Sequence, residues 1–417
     1  MDSKTQKGKR VNKETLIVAV DIGKQSHYGY FRTPEGQEVS PFCFSNTCEG
    51  FERFYKKLYR FQTAQGLRRV LVGFESTGVY AEPLLHFLRA KPVELVQINP
   101  MHTKRMKELT GNSPNKTDRK DPRVIADVMM LGHFLTVVVP VGAAAELRRL
   151  THARQRAIKQ RTAMINQLQH LIFIIFPELL QVIKNVSCKT GLYLAAHYPT
   201  PQAIVALGLQ SLTRAMQRVS CGKLDHHRAV QLYQAARQSV GVTEASEAIV
   251  TEIKYLVEQI QQANGFVQRL EGQMLEYVNQ IPYSRYLLSM KGIGLVTVAG
   301  LIGEVGDFRE FSTISEITKL GGLDLYEISS GKHKGQRRIS KRGRPLMRKL
   351  LYFAAINTVR ANGIMHAPYQ RMVARGMPKM KALVAIARKL LGVMFALVRD
   401  QALYEKNFNV HRYQLAA

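Results

Sequence analysis

Four carboxylates occupy positions from which an α/β protein could hold a divalent metal. Asp21 and Glu75 each follow an apolar run that is typical of a buried strand. The carboxyl ends of such strands form the edge of a sheet at which ligands bind. Asp118 and Asp121 lie three residues apart at the start of a predicted helix, so both face the same side of it. We therefore expect the four acids to act together.

Phosphodiester cleavage is a reaction that needs such a set. It commonly uses two Mg²⁺ ions roughly 3.5–4 Å apart, which stabilise the attacking and leaving oxygens. Carboxylates are the hard oxygen ligands that Mg²⁺ and Mn²⁺ prefer, so the quartet is the predicted catalytic metal site. Two alternatives are open. The acids at positions 118 and 121 also suit a helix N-terminus without any metal, and Asp127 is a weaker substitute because it points away from them.

The charge of the whole chain indicates an anionic partner. Lys and Arg number 60 against 31 Asp and Glu, which gives a formal charge of +29 and an isoelectric point near 10.1. In a globular composition this excess favours nucleic acid, with ribosome-like or membrane-surface binding as the alternative. Four cations that flank the second pair of acids are predicted to attract substrate phosphates: Lys116, Arg119, Lys120 and Arg123.

A second concentration of positive charge lies nearer the C-terminus. Residues 332–349 contain nine Lys and Arg and no Asp or Glu, a density typical of a nucleic-acid contact. Upstream, glycines at a helix start form a short helix-hairpin-helix signal, because their backbone amides can bind phosphate. The predicted contacts of this part are Lys291, Gly292, Gly294, Lys332, Lys334, Arg337, Arg338, Lys341, Arg342, Arg344 and Arg348.

A serine stands immediately before this basic stretch. Ser330 adjoins Gly331, and a serine in a basic loop can act as a nucleophile on phosphorus. Considered alone, it is more typical of a turn. The neighbouring Ser329 is the alternative nucleophile.

The hydrophobic patterns predict the elements that position these residues. The order βββαβαβα in the first part indicates an α/β layer architecture, and the parts that follow are almost entirely helical. The predicted divisions are a basic N-terminal arm at 1–14, an α/β domain at 15–140, an all-α region at 141–281 with an irregular insertion at 180–245, and a mostly helical C-terminal domain at 282–417.

One helix of the all-α region carries a heptad pattern. Its apolar residues step by threes and fours from Ile249 to Tyr277, as in a coiled coil. Together with the apolar helix at the start of the region, this pattern favours an antiparallel coiled-coil arm. A self-association interface and an ordinary helical-bundle core are the alternatives.

Other classes of protein receive no support from the sequence. The N-terminus is polar and basic, and the apolar run at 171–176 is far too short to span a bilayer. Cys43 and Cys48 have no nearby Cys or His pair that would complete a zinc site, and the four cysteines are expected to be reduced structural thiols. We expect a soluble cytoplasmic protein with no membrane partner.

Two sets of motifs closely resemble the insertion sequence 110 family of transposases, over about residues 15–175 and 282–400. The first set is Asp21-Ile-Gly23, Glu75-Ser-Thr-Gly78 and Lys116-Thr-Asp-Arg-Lys-Asp121. The second is Gly322-Leu-Asp324, Ser330-Gly331, Gly335, Ile339-Ser-Lys-Arg-Gly343 and Arg348, followed by a similar stretch with Tyr369, Gly376 and Ala382. The element order of the first part also resembles the RNase H-like, RuvC-type nuclease fold.

The resemblance implies a mechanism that composition could not show. Members of the family excise and insert their own element under the guidance of a noncoding RNA from its end. By position, the metal-binding quartet is Asp21, Glu75, Asp118 and Asp121, and Ser330 forms a transient covalent link to DNA. The metal site of another subunit is thought to complete the active centre. The implied partners are the DNA of the element ends and target, the guide RNA, and other copies of the chain in a dimer or tetramer.

Two further interpretations compete with this one. The chain could be a Mg²⁺-dependent, RuvC-type structure-specific nuclease whose C-terminal domain only binds DNA. It could also be a non-catalytic nucleic-acid-binding protein with a decayed acidic site, although the intact quartet and the serine motif argue against decay.

Overall fold

The structure is a computed structural model that describes residues 11–75, 78–110, 121–327, 335 and 337–405. The chain divides into two compact units, one up to Val138 and the other from Val139. Within the described ranges, no helix combines the length and the apolar character needed to cross a membrane.

The first unit is built on a mixed sheet. Its strands are β1 (Thr15–Asp21), β2 (Ser26–Arg32), β3 (Glu38–Ser45), β4 (Arg69–Glu75), β5 (Glu94–Ile98) and the short β6 (Leu135–Thr136). Their spatial order is β3-β2-β1-β4-β5-β6. β1, β4 and β5 are parallel to one another, and the remaining pairs are antiparallel. The five strands of the predicted βββαβαβα order are present, whereas β6 was not predicted.

Helices cover both faces of this sheet. They are α1 (Cys48–Ala64), α2 (Glu82–Arg89), α3 (Pro100–Thr110) and α4 (Asp121–Met130), with a short 3₁₀ helix at Gly78–Ala81. The side chains of β1 alternate between two apolar cores: Val18 packs on the side of α1 and α2, and Ile17 packs on the side of α4. β1 is therefore buried on both faces, which is why its sequence is an unbroken apolar run.

The second unit contains a long two-helix arm, formed by α5 (Gly142–Ile175) and α11 (Ser246–Asn279), each of 34 residues. The two helices run antiparallel, because Arg154 contacts Glu271 at 2.7 Å while Arg161 contacts Asn264 at 2.8 Å. Most of the predicted heptad residues of α11 are buried, including Ile253, Leu256, Ile260, Val267, Leu270 and Met274. The seam is thus used within the chain, as the antiparallel interpretation predicts.

Five short helices form a tip at the far end of the arm: α6 (Pro177–Val182), α7 (Lys189–His197), α8 (Pro201–Leu207), α9 (Leu209–Ser220) and α10 (His226–Arg237). Their apolar residues share one core with the end of α5 and the start of α11. The irregular insertion predicted from the sequence is this folded cap.

The opposite end of the arm joins a C-terminal helical bundle. It consists of α12 (Ser284–Leu288), α13 (Leu295–Val305), α14 (Ile314–Gly321), α15 (Pro345–Thr358), α16 (His366–Ala374) and α17 (Lys379–Arg399), with the short strands β7 (Leu325–Tyr326) and β8 (Arg338–Ile339). One core unites this bundle with Leu147 of α5 and Met274 of α11. At Gly303, α13 lies so close to α5 that an added Cβ would be 2.6 Å from the backbone nitrogen of Arg148.

Candidate active site

The first two acids of the quartet meet at one edge of the sheet. β1 and β4 are parallel, and Val20 pairs with Phe74. The next residue of each strand is Asp21 and Glu75, so the two carboxylates stand on neighbouring strands, roughly 4.8 Å apart in backbone spacing. Both residues are half-buried. The two acids therefore lie at the carboxyl ends of adjacent parallel strands, as their positions in the sequence predict.

Helix α4 brings a third acid to the same edge. Asp121 is its first residue, and its negative charge raises the pKa of Glu75, so the two carboxylates are near each other. The helix lies close to the sheet because Gly73 of β4 has no side chain. A Cβ there would overlap the side chain of Met129. The fourth predicted ligand, Asp118, lies outside the described residues.

Two residues of α3 complete the surroundings, and the sequence analysis missed both. Lys107 places its Nζ 2.6 Å from Oδ1 of Asp121 and also acts on the charge of Glu75. Thr103, four residues earlier on the same face, hydrogen-bonds with the side chain of Glu75. A signal for this helix was available, since Asn99-Pro100 is a typical helix start, and Oδ1 of Asn99 accepts from the amide of Met101 at 2.9 Å.

The electrostatics of the edge are balanced between burial and charge. Burial raises the pKa of Glu75 and Asp121 raises it further, whereas Lys107 and the hydrogen bond with Thr103 lower it; the net shift is upward. A cluster of carboxylates is stabilised by a nearby positive charge, which a divalent metal ion can provide. Lys107 provides part of this positive charge here. Asp21, Glu75 and Asp121 therefore suit a magnesium-type site by donor type. Within the described residues, no three metal-binding side chains lie close enough together to hold a metal ion.

Other charged residues of α4 have partners elsewhere. Asp127, the weaker substitute ligand, forms an ion pair with Arg32 at 2.9 Å. Arg123 forms one with Glu38 at 2.9 Å and lies over the ring of Tyr30. Its guanidinium is half-exposed, so it still presents charge to solvent. The neighbouring predicted cations Lys116, Arg119 and Lys120 lie outside the described residues.

The predicted serine and the cations next to it also lie outside them: Ser329, Ser330, Lys332 and Lys334. The structure describes the segments that flank them on either side. β7 and β8 pair antiparallel through Tyr326 and Arg338, and Arg337 forms an ion pair with Glu327 at 2.9 Å. One small two-stranded sheet therefore joins the described residues on the two sides of the serine. Three predicted cations after it are exposed: Arg338, Lys341 and Arg342.

Two of the predicted nucleic-acid contacts are half-buried and donate to backbone carbonyls of the bundle. Arg344 donates to the backbone carbonyl of Glu304, and burial lowers its pKa to about 10, with Arg148 acting in the same direction and the Glu304 charge against it. Arg348 donates to the carbonyls of Gly321 at 2.9 Å and Gly343 at 3.0 Å. These contacts fix the loop that follows the serine, which gives both arginines an internal role that charge counting cannot show.

The predicted hairpin residues have mixed surroundings. Lys291 is exposed, Gly292 has a positive φ of 93°, and Gly294 caps the N-terminus of α13. The positive φ explains the glycine at 292, because other residues rarely adopt it.

Comparison with known families covers both halves of the chain. A DEDD transposase model of the IS110 group matches residues 18–177, and a model described as transposase of the IS116/IS110/IS902 family matches residues 284–370. The chain belongs to the IS110 family of transposases. It is accordingly a DNA transposase, and its acidic edge lies inside the matched DEDD domain.

Relatives extend the similarity to nearly the full length. An uncharacterized protein of insertion element IS110 from Streptomyces coelicolor is 24% identical, over 94% of this chain and 95% of its own. The transposase for insertion sequence element IS1111A from Coxiella burnetii is 22% identical, over 74% of this chain and 72% of its own. A pilin gene-inverting protein from Moraxella lacunata is 25% identical over 44% of this chain and 57% of its own.

Proposed function

We propose that this transposase excises and inserts a mobile element under the guidance of an RNA encoded by that element, using a metal-binding acidic quartet and a serine nucleophile. The observation that carries the proposal is the acidic edge of the first unit. Asp21 and Glu75 stand side by side on β1 and β4, and Asp121 approaches them from α4. The match to a DEDD transposase domain suggests the use of a divalent metal in general. The choice of Mg²⁺ or Mn²⁺ is part of the proposal. An RNase H-like fold is also part of it, and the mixed sheet is consistent with that fold.

The acids have a defined task in this chemistry. Their oxygens would hold the cation, and α4, which packs tightly on the sheet at Gly73, would keep Asp121 in position for it. A divalent ion bound there would neutralise charge on the phosphate and favour attack on phosphorus. Asp118 would supply the fourth carboxylate.

The serine accounts for rejoining as well as cutting. In the proposed step the Oγ of Ser330 attacks phosphorus, so a new P–O bond forms and the bond to one deoxyribose oxygen breaks. The serine proton ends on the departing hydroxyl. One ester replaces another, so the phosphate stays activated and a second hydroxyl can reverse the exchange on a new strand.

The basic residues beside the serine bind the backbone of the substrates in this proposal. Arg338, Lys341 and Arg342 are exposed, as that role requires. Both DNA and the guide RNA present phosphates to them.

Replacing Ser330 with Ala tests the covalent step against simple nuclease activity. The transposase should lose both strand cleavage and covalent attachment to labelled DNA, while Asp21→Asn should lose cleavage but still bind DNA. A nuclease of the RuvC type would keep cleavage in Ser330→Ala. Survival of both activities in Ser330→Ala would rule out the serine assignment, and full activity of Asp21→Asn would rule out the acidic site.

The RNA-guided part has a separate test. Protein purified with its native flanking DNA present in the cell should carry a specific RNA that maps beside the gene. Changing the unpaired bases of that RNA should redirect insertion. Insertion that is unaffected by removal of the RNA would contradict guidance and leave the acid and serine chemistry standing.

A further inference from the structure

The arm tip, residues 177–245, is a folded unit that the matched family models do not cover, since they end at 177 and resume at 284. Its helices share a core with the end of the arm, and this core includes Leu212 and Met216 of α9 and Ala229 and Leu232 of α10. The arm gives it reach, because 34 helical residues extend for about 50 Å at 1.5 Å each. Neither the acids nor the serine lie in this segment, so its surface is not part of the proposed site.

Positive charge dominates the tip. Residues 177–245 contain seven Lys and Arg against three acids. Two of those acids serve the fold: Glu178 accepts from the hydroxyl of Ser239 at 2.6 Å, and Asp225 caps α10 by accepting from the amide of Arg228 at 3.1 Å. The excess of cations is therefore left to face solvent.

Helices α9 and α10 present the clearest part of this charge. They are joined by a tight turn, in which Cys221 and Gly222 have positive φ values of 55° and 77° and Asp225 starts the next helix. The helices are also tied by Thr213 and His226, whose Oγ1 and Nδ1 are 3.2 Å apart. The unit is thus a compact helix–turn–helix with a defined surface.

Four cations lie on this unit: Arg214, Arg218, Lys223 and Arg228. All are exposed, and none forms an ion pair with another residue in the described part of the chain. Arginines of the first unit contrast with them, since Arg32 and Arg123 are both neutralised by acids. Unneutralised cations clustered at the end of a long arm indicate a polyanion as the partner.

We propose that the α9–turn–α10 unit of the arm tip binds the phosphate backbone of duplex DNA. Arginine, lysine and helix N-termini are the groups that usually contact DNA phosphates. Bases of single strands stack most often on exposed Phe, Tyr and Trp rings, whereas the exposed rings of the tip are only those of His197, His226 and His227. Its described tyrosines, Tyr193, Tyr198 and Tyr233, are half-buried, and Tyr193 accepts from Arg218 at 3.3 Å. A double strand therefore fits the tip better than a single strand, and DNA is the duplex on which a transposase acts.

The salt dependence of binding tests the proposal on the full-length transposase. The variant Arg214→Gln/Arg218→Gln/Arg228→Gln removes three charges from the unit without touching its core. Its affinity for a long duplex of arbitrary sequence should respond less steeply to salt, with the slope of log K against log salt smaller by about 2 to 3. Fluorescence anisotropy measures the slope, and circular dichroism confirms that the variant is folded.

The matched control removes three charges from the shaft of the arm instead, as Arg156→Gln/Lys159→Gln/Arg269→Gln. Its slope should stay near that of the parent protein. An unchanged slope in the tip variant, or an equal loss in the control, overturns the proposal. A larger loss of affinity for an RNA hairpin than for duplex DNA also overturns it, in favour of RNA.

A second measurement keeps the native charges. Cys221 is exposed in the turn between the two helices, so an iron chelate attached there would cut nucleic acid bound beside it. The other thiols are removed as Cys43→Ser/Cys48→Ser/Cys188→Ser, and serine at 188 preserves the cap that Cys188 gives to the amide of Gly191. Cleavage of duplex DNA near the bound protein is expected. Absence of DNA cleavage, while free hydroxyl radicals still show a footprint of the bound protein, refutes the proposal.

Discussion

Lys107 places a positive charge beside the carboxylates of the acidic edge. Its Nζ lies 2.6 Å from Oδ1 of Asp121, and it lowers the pKa of Glu75 against the effect of burial. A divalent cation would claim the same carboxylate oxygens. Lysine and metal are therefore competitors at this edge.

Replacing Lys107 with Gln should tighten metal binding by about fivefold, because a half-exposed ion pair of this kind contributes about 1 kcal/mol. The measurement is calorimetric titration of the protein with Mn²⁺ in the absence of DNA. Lys104→Gln, on the same helix but exposed, is the control and should leave the affinity unchanged. Weaker metal binding in Lys107→Gln would show that the lysine supports the site instead of competing for it.

The sequence predicted part of this neighbourhood and missed the rest for a physical reason. Asp21 and Glu75 could be placed because strand ends and parallel pairing fix them. The roles of Lys107 and Thr103 depend on the packing of α3 against the ends of β4 and α4, which no local pattern specifies. The internal contacts of Arg344 and Arg348 were hidden likewise, because charge counting treats every arginine as exposed.

At the scale of elements, a buried carboxylate connects the arm to the C-terminal bundle. Glu304 of α13 is 2% exposed and lies 2.8 Å from Nε2 of His152 on α5. Burial raises the pKa of Glu304, but the hydrogen bond with His152 and the charges of Arg148 and Arg344 outweigh it, and the net shift is downward. The carboxylate is thus held ionised between two helices and the loop that ends at Arg344.

Glu304→Gln should destabilise the second unit by about 3 kcal/mol at neutral pH, because it leaves Arg344 buried without its counter-charge. The folded pKa is below the ordinary value of 4.5, so the stability contributed by Glu304 is present above that pH and is lost as the pH falls through the folded pKa. The difference between parent and variant should therefore shrink below about pH 4.5.

Denaturant unfolding at several pH values measures this difference. Glu310→Gln is the control, because Glu310 is exposed and close by in the chain; it should leave the stability nearly unchanged. A variant as stable as the parent at pH 7 would contradict the role assigned to Glu304.

Two glycines of the second unit should respond in opposite directions to alanine. At Gly303 the new Cβ would meet the backbone of Arg148 at 2.6 Å, so α5 and α13 must separate at a cost of about 1–3 kcal/mol. At Gly272 of α11 a Cβ meets nothing within 4 Å, and alanine should stabilise the helix by about 1 kcal/mol. Thermal unfolding of the two variants compares them, and equal shifts of the same sign would contradict the packing described.

The elements differ in how far the sequence predicted them. The strands of the sheet and the seam of α11 were predicted because their buried residues recur at regular intervals, so the apolar residues show a clear pattern in the sequence. The five helices of the tip are short and share one core, so each shows too few turns for a clear period. Only their packing together defines them.

At the scale of the whole molecule, the acids belong to the first compact unit and the serine to the span of the second. If different subunits supply the two groups, a mixture of Asp121→Asn and Ser330→Ala proteins should regain strand transfer that neither shows alone. Proteins carrying different affinity tags allow mixed oligomers to be isolated and assayed. Mixed oligomers that stay inactive would contradict a shared centre.

The net charge of +29 follows directly from the sequence, whereas the distribution of that charge over the folded protein does not. The structure neutralises part of it with acids in the first unit, holds part of it in hydrogen bonds to backbone carbonyls at the half-buried Arg344 and Arg348, and leaves part exposed on the arm tip. Three-dimensional pairing decides which cations remain available, and pairing between distant segments has no local signature.

The close approach of α13 to α5 at Gly303 has a mechanical consequence. Beyond this contact, the part of α5 from Arg148 to Ile175 extends for about 40 Å. A rotation of about 5° at the contact would displace the tip by about 3.5 Å, close to the roughly 3.4 Å rise of one base pair along DNA. If the tip binds a duplex as proposed, the close packing at Gly303 would limit how far its position along the DNA can vary.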